Sequence, residues 1–109
     1  MALSYDGDSF AGIGVAATEV VPAVSTGKTG FLQSLLLANV SGGSINVYAR
    51  ITRSGGASTS MLINGAPIPA GSTLEVVDRP PILLEGDKVE AWASVAASLD
   101  VTTSVVYRS

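Results

Sequence analysis

The sequence predicts an all-β domain, an antiparallel β-sandwich of about eight short strands, on three observations. Several segments alternate strictly between apolar and polar residues, the period of a half-buried strand. Gly, Pro, Asn and Asp clusters punctuate the chain at short intervals. No segment carries a 3.6-residue apolar stripe between caps. A jelly-roll and an Ig-like arrangement fit these signals equally well.

The clearest stretch is Ile82 to Val95. An apolar run stops at Glu85-Gly86-Asp87, where Gly86 can take the positive φ of a tight reversal and Asp87 can cap the turn with its carboxylate. Beyond it Val89, Ala91, Ala93 and Val95 fall on one face, with Lys88, Glu90, Trp92 and Ser94 on the other.

In chain order, residues 1–14 are rich in Gly, Ser and Asp and read as a flexible N-terminal arm, with Tyr5, Phe10 and Ile13 as apolar anchors. The sandwich domain is expected over 15–109. Val15 to Val24 forms a strand that ends, or lies at an edge, at Pro22, because proline has no N–H for the ladder. Phe31 to Val40 is the most apolar strand. Its Leu35-Leu36-Leu37 loads both faces, as in a central strand or one whose second face meets a partner.

Ser41-Gly42-Gly43-Ser44 turns the chain into a strand with Ile45, Val47, Ala49 and Ile51 inside and Asn46, Tyr48, Arg50 and Thr52 outside. Ser54 to Ser58 is a flexible loop tip. Met61-Leu62-Ile63 leads to Asn64-Gly65, a two-residue hairpin signal, and Ala66 to Gly71 is a further connection stiffened by two prolines. Ser72 to Val77 is a strand. At the end Leu99, Val101, Thr103, Val105 and Tyr107 alternate with Asp100, Thr102, Ser104, Val106 and Arg108.

The 109 residues fit one domain, and an apolar fraction of 47% supplies a continuous core. Charged residues are only 14%, against about 25% in ordinary domains. A surface of Ser, Thr, Gly, Ala and Asn is easily desolvated, which favours subunit packing. The six cationic side chains are scattered and the net charge is −3. Neither nucleic acid nor a membrane surface is expected as a partner. No apolar run is long enough for a membrane-spanning helix, and the first residues do not resemble a signal peptide.

The chemistry points away from catalysis. With no Cys and no His, the commonest nucleophile–base pairs and metal ligands are missing. No catalytic residue, cofactor or metal is expected. Asp6-Gly7-Asp8 lacks the later ligands of a calcium loop. Gly27-Lys28-Thr29 ends like a phosphate-binding loop, but Pro22 stands where the first glycine belongs and no helix pattern follows. The carboxylates Glu85 with Asp87, and Glu75 with Asp78, are explained by turn capping. Asn39-Val40-Ser41 is a glycosylation sequon in form only. The residues with most to offer are aromatic. Trp92 shares a face with Lys88 and Glu90, and Tyr48 shares one with Arg50. Either local structure covers them, or they are interface anchors, a role in which Trp, Tyr and Arg are enriched. The interface candidates are thus Tyr5, Phe10, Tyr48, Arg50 and Trp92.

A resemblance runs from Glu19-Val20-Val21-Pro22 through Gly27-Lys28-Thr29, Leu35-Leu36-Leu37-Ala38-Asn39 and Ile45 to Ile51. It continues through Ile68-Pro69-Ala70-Gly71-Ser72, Leu84-Glu85-Gly86-Asp87 and Leu99 to Tyr107. In these motifs the chain resembles the small β-sandwich virion proteins of tailed bacteriophages, found among capsid decoration (cement) proteins and tail- or neck-associated proteins. The resemblance implies a structural virion protein, assembled in the host cytoplasm and located on the capsid surface. It implies a homo-oligomer, with a trimer favoured, and the major capsid protein or another virion protein as partner. The alternative is a tail or fibre module that binds a receptor or carbohydrate, for which Trp92 with Glu90 is the local candidate.

Overall fold

A computed structural model describes residues 2–56 and 58–109. Among the described residues nine strands form two antiparallel sheets. They are β1 (Leu3–Ile13), β2 (Thr18–Val21), β3 (Thr29–Asn39), β4 (Ile45–Thr52), β5 (Thr59–Ile68), β6 (Thr73–Glu75), β7 (Ile82–Leu83), β8 (Lys88–Ala93) and β9 (Leu99–Arg108). The first sheet runs β1-β9-β3-β6, with β7 continuing the β6 position along β3; the second runs β2-β8-β4-β5. The pairing is nested. β1 pairs with β9, β2 with β8, β3 with β6 and β7, and β4 with β5. A long antiparallel hairpin wound on itself gives this order, so the sandwich is a jelly roll rather than Ig-like.

The core lies between the sheets and follows the sequence alternation. Ile45, Val47, Ala49 and Ile51 of β4, Val89, Ala91 and Ala93 of β8, and Leu99, Val101 and Val105 of β9 are all buried. In β3 both Leu32 and Leu35 are fully buried although three positions apart. A bulge between Leu32 and Ser34 makes this possible by shifting the phase of the strand.

Two expectations need correction. The segment expected as a flexible arm over 1–14 is instead, from Leu3 to Ile13, an edge strand in register with β9 from Leu3↔Arg108 to Phe10↔Val101. Ladder hydrogen bonds come from the backbone, so a Gly/Ser/Asp composition does not prevent pairing at an edge. A bulge between Phe10 and Ile13 then turns Ile13 into the core, while Phe10 packs partly buried against it. The bulge contains Gly12 at φ 69°, whose amide donates to Asp100 Oδ1 at 3.0 Å.

The second correction concerns Asn64-Gly65, which makes no hairpin. β5 runs straight through it to Ile68, including the Ala66-Pro67-Ile68 expected as a connection. Gly65, at φ 79°, is the extra residue of a bulge opposite Val47 and Tyr48. Positive φ serves a bulge as well as a primed turn, so the dipeptide signal is ambiguous. Pro67 is tolerated because β5 is an edge. The reversal between β4 and β5 falls at the Ser54–Gly56 turn, closed by the Arg53 amide on the Ser58 carbonyl.

The turn between β7 and β8 is the best-connected point of the fold. Asp87 is 2% exposed. Its carboxylate accepts from the Leu84 amide at 2.8 Å, the Ser54 amide at 3.0 Å and Arg53 Nη1 at 2.6 Å. Its backbone carbonyl accepts from Val24, and the Gly86 amide donates to the Val24 carbonyl. Burial alone would raise the Asp87 pKa, but the bonds from Leu84, Arg53 and Ser54 outweigh it and hold the carboxyl below its ordinary value. Gly86 sits at φ 86°, and a Cβ there would collide with the Ser54 side chain.

Asp87→Asn is expected to cost about 2–3 kcal/mol, since it leaves Arg53 without its buried partner while the exposed side of that arginine softens the loss. The folded carboxyl titrates below the unfolded one. Its contribution is therefore complete above about pH 5 and is lost as pH falls through the folded value. Urea titrations from pH 7 to pH 2 should show a shallower acid limb for the variant than for the parent.

Candidate assembly surfaces

Between the sheets the side chains serve the core, so any partner must meet an outer face or an edge. The outer face of the second sheet carries three of the five interface candidates together. Register places Tyr48 opposite Trp92, Arg50 opposite Glu90 and Thr52 opposite Lys88. The Tyr48 and Trp92 rings stack with centroids 5.4 Å apart and planes 7° from parallel. Arg50 Cζ lies 4.9 Å from the Trp92 ring centroid, and Arg50 Nε donates to Glu90 Oε1 at 3.0 Å. The Thr52 hydroxyl donates to the same oxygen at 2.7 Å, and Lys88 reaches Glu19 across the β2 edge at 3.7 Å. Tyr48 also lies over Gly65, where a Cβ would stand 3.4 Å from Cε2 of the ring.

These bonds set the charge state of the face. The Thr52 hydroxyl first, then Arg50 and the Lys88 charge, hold Glu90 below its ordinary pKa against the opposing effect of burial. The aromatic and charged groups of this sheet therefore satisfy one another. Trp92 and Glu90, the candidate carbohydrate platform, are both engaged within this ladder.

The outer face of the first sheet is different. Register aligns Tyr5, Val106, Phe31 and Ile82 in one row across β1, β9, β3 and β7. Tyr5 is 77% exposed and Ile82 51%, with Val106 and Phe31 half-buried between them. Leu3 and Leu36 extend the apolar area on the same face. The charges are confined to its ends and edge, at Arg108, Asp100 and Glu75. Of these, Glu75 is occupied by the Ser34 hydroxyl at 2.6 Å and the Leu35 amide at 2.9 Å. Gly7 pairs with Ser104 on this face and contributes no side chain. An open hollow of about 430 Å³ lies beside it, lined by Tyr5, Gly7, Gln33, Ser104 and Val106 among others. Gln33 is the bulged residue of β3.

Of the sequence candidates, then, Tyr48, Arg50 and Trp92 meet on one sheet. Tyr5 stands on the outer face of the other, and Phe10 turns inward against the core. Sequence reasoning passed over Phe31, Ile82 and Val106. Their common row is set by pairing register, which single-strand patterns do not contain.

No family model matches the chain, and no curated protein matches its sequence. Among solved structures it is similar to a chain of the IBDV viral particle, with a TM-score of 0.64 and 8% identity over 96% of this chain. It spans only 30% of the length of that viral-particle chain. It is also similar to a chain from Bacillus endospore appendages, a family of disulfide-linked pili, with a TM-score of 0.54 and 14% identity. That match covers 96% of this chain and 87% of the other. At these identities the likeness is one of fold.

The ladder on the second sheet has a measurable worth. Trp92→Ala should remove a stacked pair worth about 0.5–1.5 kcal/mol beyond area burial and a cation–π contact of about 0.5–1 kcal/mol. The protein should stay folded, destabilised by about 1–2 kcal/mol. A double-mutant cycle with Tyr48→Ala, read by denaturant unfolding, should return a favourable coupling of at least about 0.5 kcal/mol.

Proposed function

We propose that the chain is a virion structural protein, a capsid decoration protein that binds and stabilises the capsid lattice as a homo-oligomer, without catalytic activity. The observation that carries this reading is the outer face of the first sheet, where Tyr5, Val106, Phe31 and Ile82 form an exposed apolar row with charge only around it. A contiguous apolar row on a charge-poor face, with an exposed aromatic at one end, is the kind of patch that marks an interaction surface. Three further points support the reading. The jelly roll is an architecture used by viral capsid domains. The fold likeness to a chain of the IBDV viral particle runs over 96% of this chain. The sequence motifs resemble those of phage decoration and tail-associated proteins.

Assembly by disulfides, as in the pili whose chain shares the fold, is unavailable to a chain with no cysteine. Packing of surfaces is the remaining route. The trimer implied by the resemblance fits a site on a local threefold axis of the lattice. The receptor- or carbohydrate-binding alternative loses its local candidate, because Trp92 and Glu90 are committed to Tyr48, Arg50 and Thr52.

The test is co-sedimentation of the purified protein with empty capsids of the parent virus, beside a glycan array. Saturable binding at a fixed ratio to the capsid protein, with a blank array, is the expected result. Absence of capsid binding, or specific glycan capture, would overturn the reading.

A further inference from the structure

The edges of the two sheets are poor places for a partner strand. β6 and β7 have three and two residues, and Pro80-Pro81 precede β7. β2 ends at Pro22, and β5 carries Pro67 and two bulges. On β1, Asp6 and Asp8 pair with Val105 and Thr103 and so point to the inner side of an edge. Short strands, prolines, bulges and inward charges are devices that block edge-to-edge pairing. Assembly is thereby directed to the faces, and the second sheet's outer face is internally satisfied.

We propose that the outer face of the first sheet binds the same face of a second copy about a twofold axis, with Ile82 of each copy seated in the hollow beside Gly7 of the other. The proposal rests on the assembly reading above and deepens it. Geometry supplies the reason for the second copy. β9 and β3 are the middle pair of the apolar row, with β1 and β7 outside them. A twofold axis parallel to the strands, passing between β9 and β3, exchanges β9 with β3 and β1 with β7. It sets Val106 against Phe31 and Tyr5 against Ile82, apolar on apolar in both directions. It also sets Ser104 against Ser34 and Thr102 against Leu36, so no like charges oppose one another along β9 and β3.

Ile82, half-exposed, is a knob at one end of the row, and the hollow beside Tyr5 and Gly7 is a hole at the other. Self-complementarity of this kind is what an isologous interface requires. The area is adequate. Four strands at about 4.8 Å spacing and ten residues at about 3.3 Å rise give a patch of about 600 Å² before corrugation. A standard interface covers about 800 Å² per partner. An axis along the row itself would align only the last residues of β9 and would bury much less. Twofold pairing gives dimers, or hexamers where a threefold contact is also made.

The test uses Gly7→Val. Gly7 has ordinary backbone φ, and a Cβ there would meet only the Thr103 carbonyl at 3.6 Å. The substitution should leave the fold intact while filling the hollow. The parent should sediment as dimer or hexamer at high concentration. Gly7→Val and Ile82→Ser should lose the even-numbered species, at least tenfold in dissociation constant, with the melting of the fold unchanged for Gly7→Val. Because the chain lacks cysteine, Tyr5→Cys and Ile82→Cys can be made separately, mixed and treated with a short bismaleimide. The mixture should cross-link far more than either variant alone.

Three results would overturn the proposal: a parent that is only monomer or trimer, pairing that survives Gly7→Val, or cross-linking as efficient in Tyr5→Cys alone. If the protein stays monomeric yet Gly7→Val abolishes capsid binding, the face belongs to the capsid. In that case twofold pairing fails while the decoration reading stands.

Discussion

One buried carboxylate ties the sandwich together. Asp87 lies between β7 of the first sheet and β8 of the second, and it holds Arg53 and Ser54 at the end of β4. Its own backbone is bonded to Val24, in the connection from β2 to β3. Three separate stretches of chain thus meet at one turn: the turn itself, the end of β4 and the connection from β2 to β3. A charge this deep is tolerated because two backbone amides and a guanidinium donate to it, and that requirement holds the end of β4 against the turn. Gly86 belongs to the same constraint, since any side chain there would push Ser54 away from the carboxylate.

With the interior fixed in this way, the two outer faces are free to differ. On the second sheet, stacking, a cation over a ring and a bridging carboxylate use up the interactions that its residues can make. On the first, Tyr5, Val106, Phe31 and Ile82 lie in a row whose outer side no other part of the chain covers. Interfaces are set by what a surface leaves unsatisfied, more than by which residue types it contains. Trp92 and Arg50, the residues that composition favours as hot spots, are therefore less available than Ile82 and Tyr5.

Much of this was legible in the sequence. The alternation of Ile45 to Ile51, of Val89 to Ala93 and of Leu99 to Tyr107 names the inner face of three strands correctly, but it is carried one step too far at Val95, which lies beyond β8 and is exposed. Pro22 marks the end of an edge strand, and Gly86-Asp87 marks the turn. The double loading at Leu35-Leu36-Leu37 also fits a central strand, since β3 lies between β9 and β6. What local pattern could not supply is partnership. β1 reads as an arm because its strandedness comes from β9, at the far end of the sequence. Asn64-Gly65 reads as a hairpin because the same backbone angle builds a bulge. Phe31 and Ile82 looked like unrelated residues of two strands until register set them side by side.

The nested pairing has a consequence for how the protein comes to be folded. β1 is made first and β9 last, yet each needs the other. Contacts so distant in sequence close slowly, and a strand without its partner invites aggregation while it waits. From Leu3 to Ser9, β1 has one aliphatic and one aromatic side chain among Ser, Asp and Gly residues. A richer sequence would make a stickier nascent chain. The composition that disguises β1 as an unstructured tail is also what lets it remain in water, unpaired, until the last strand has left the ribosome.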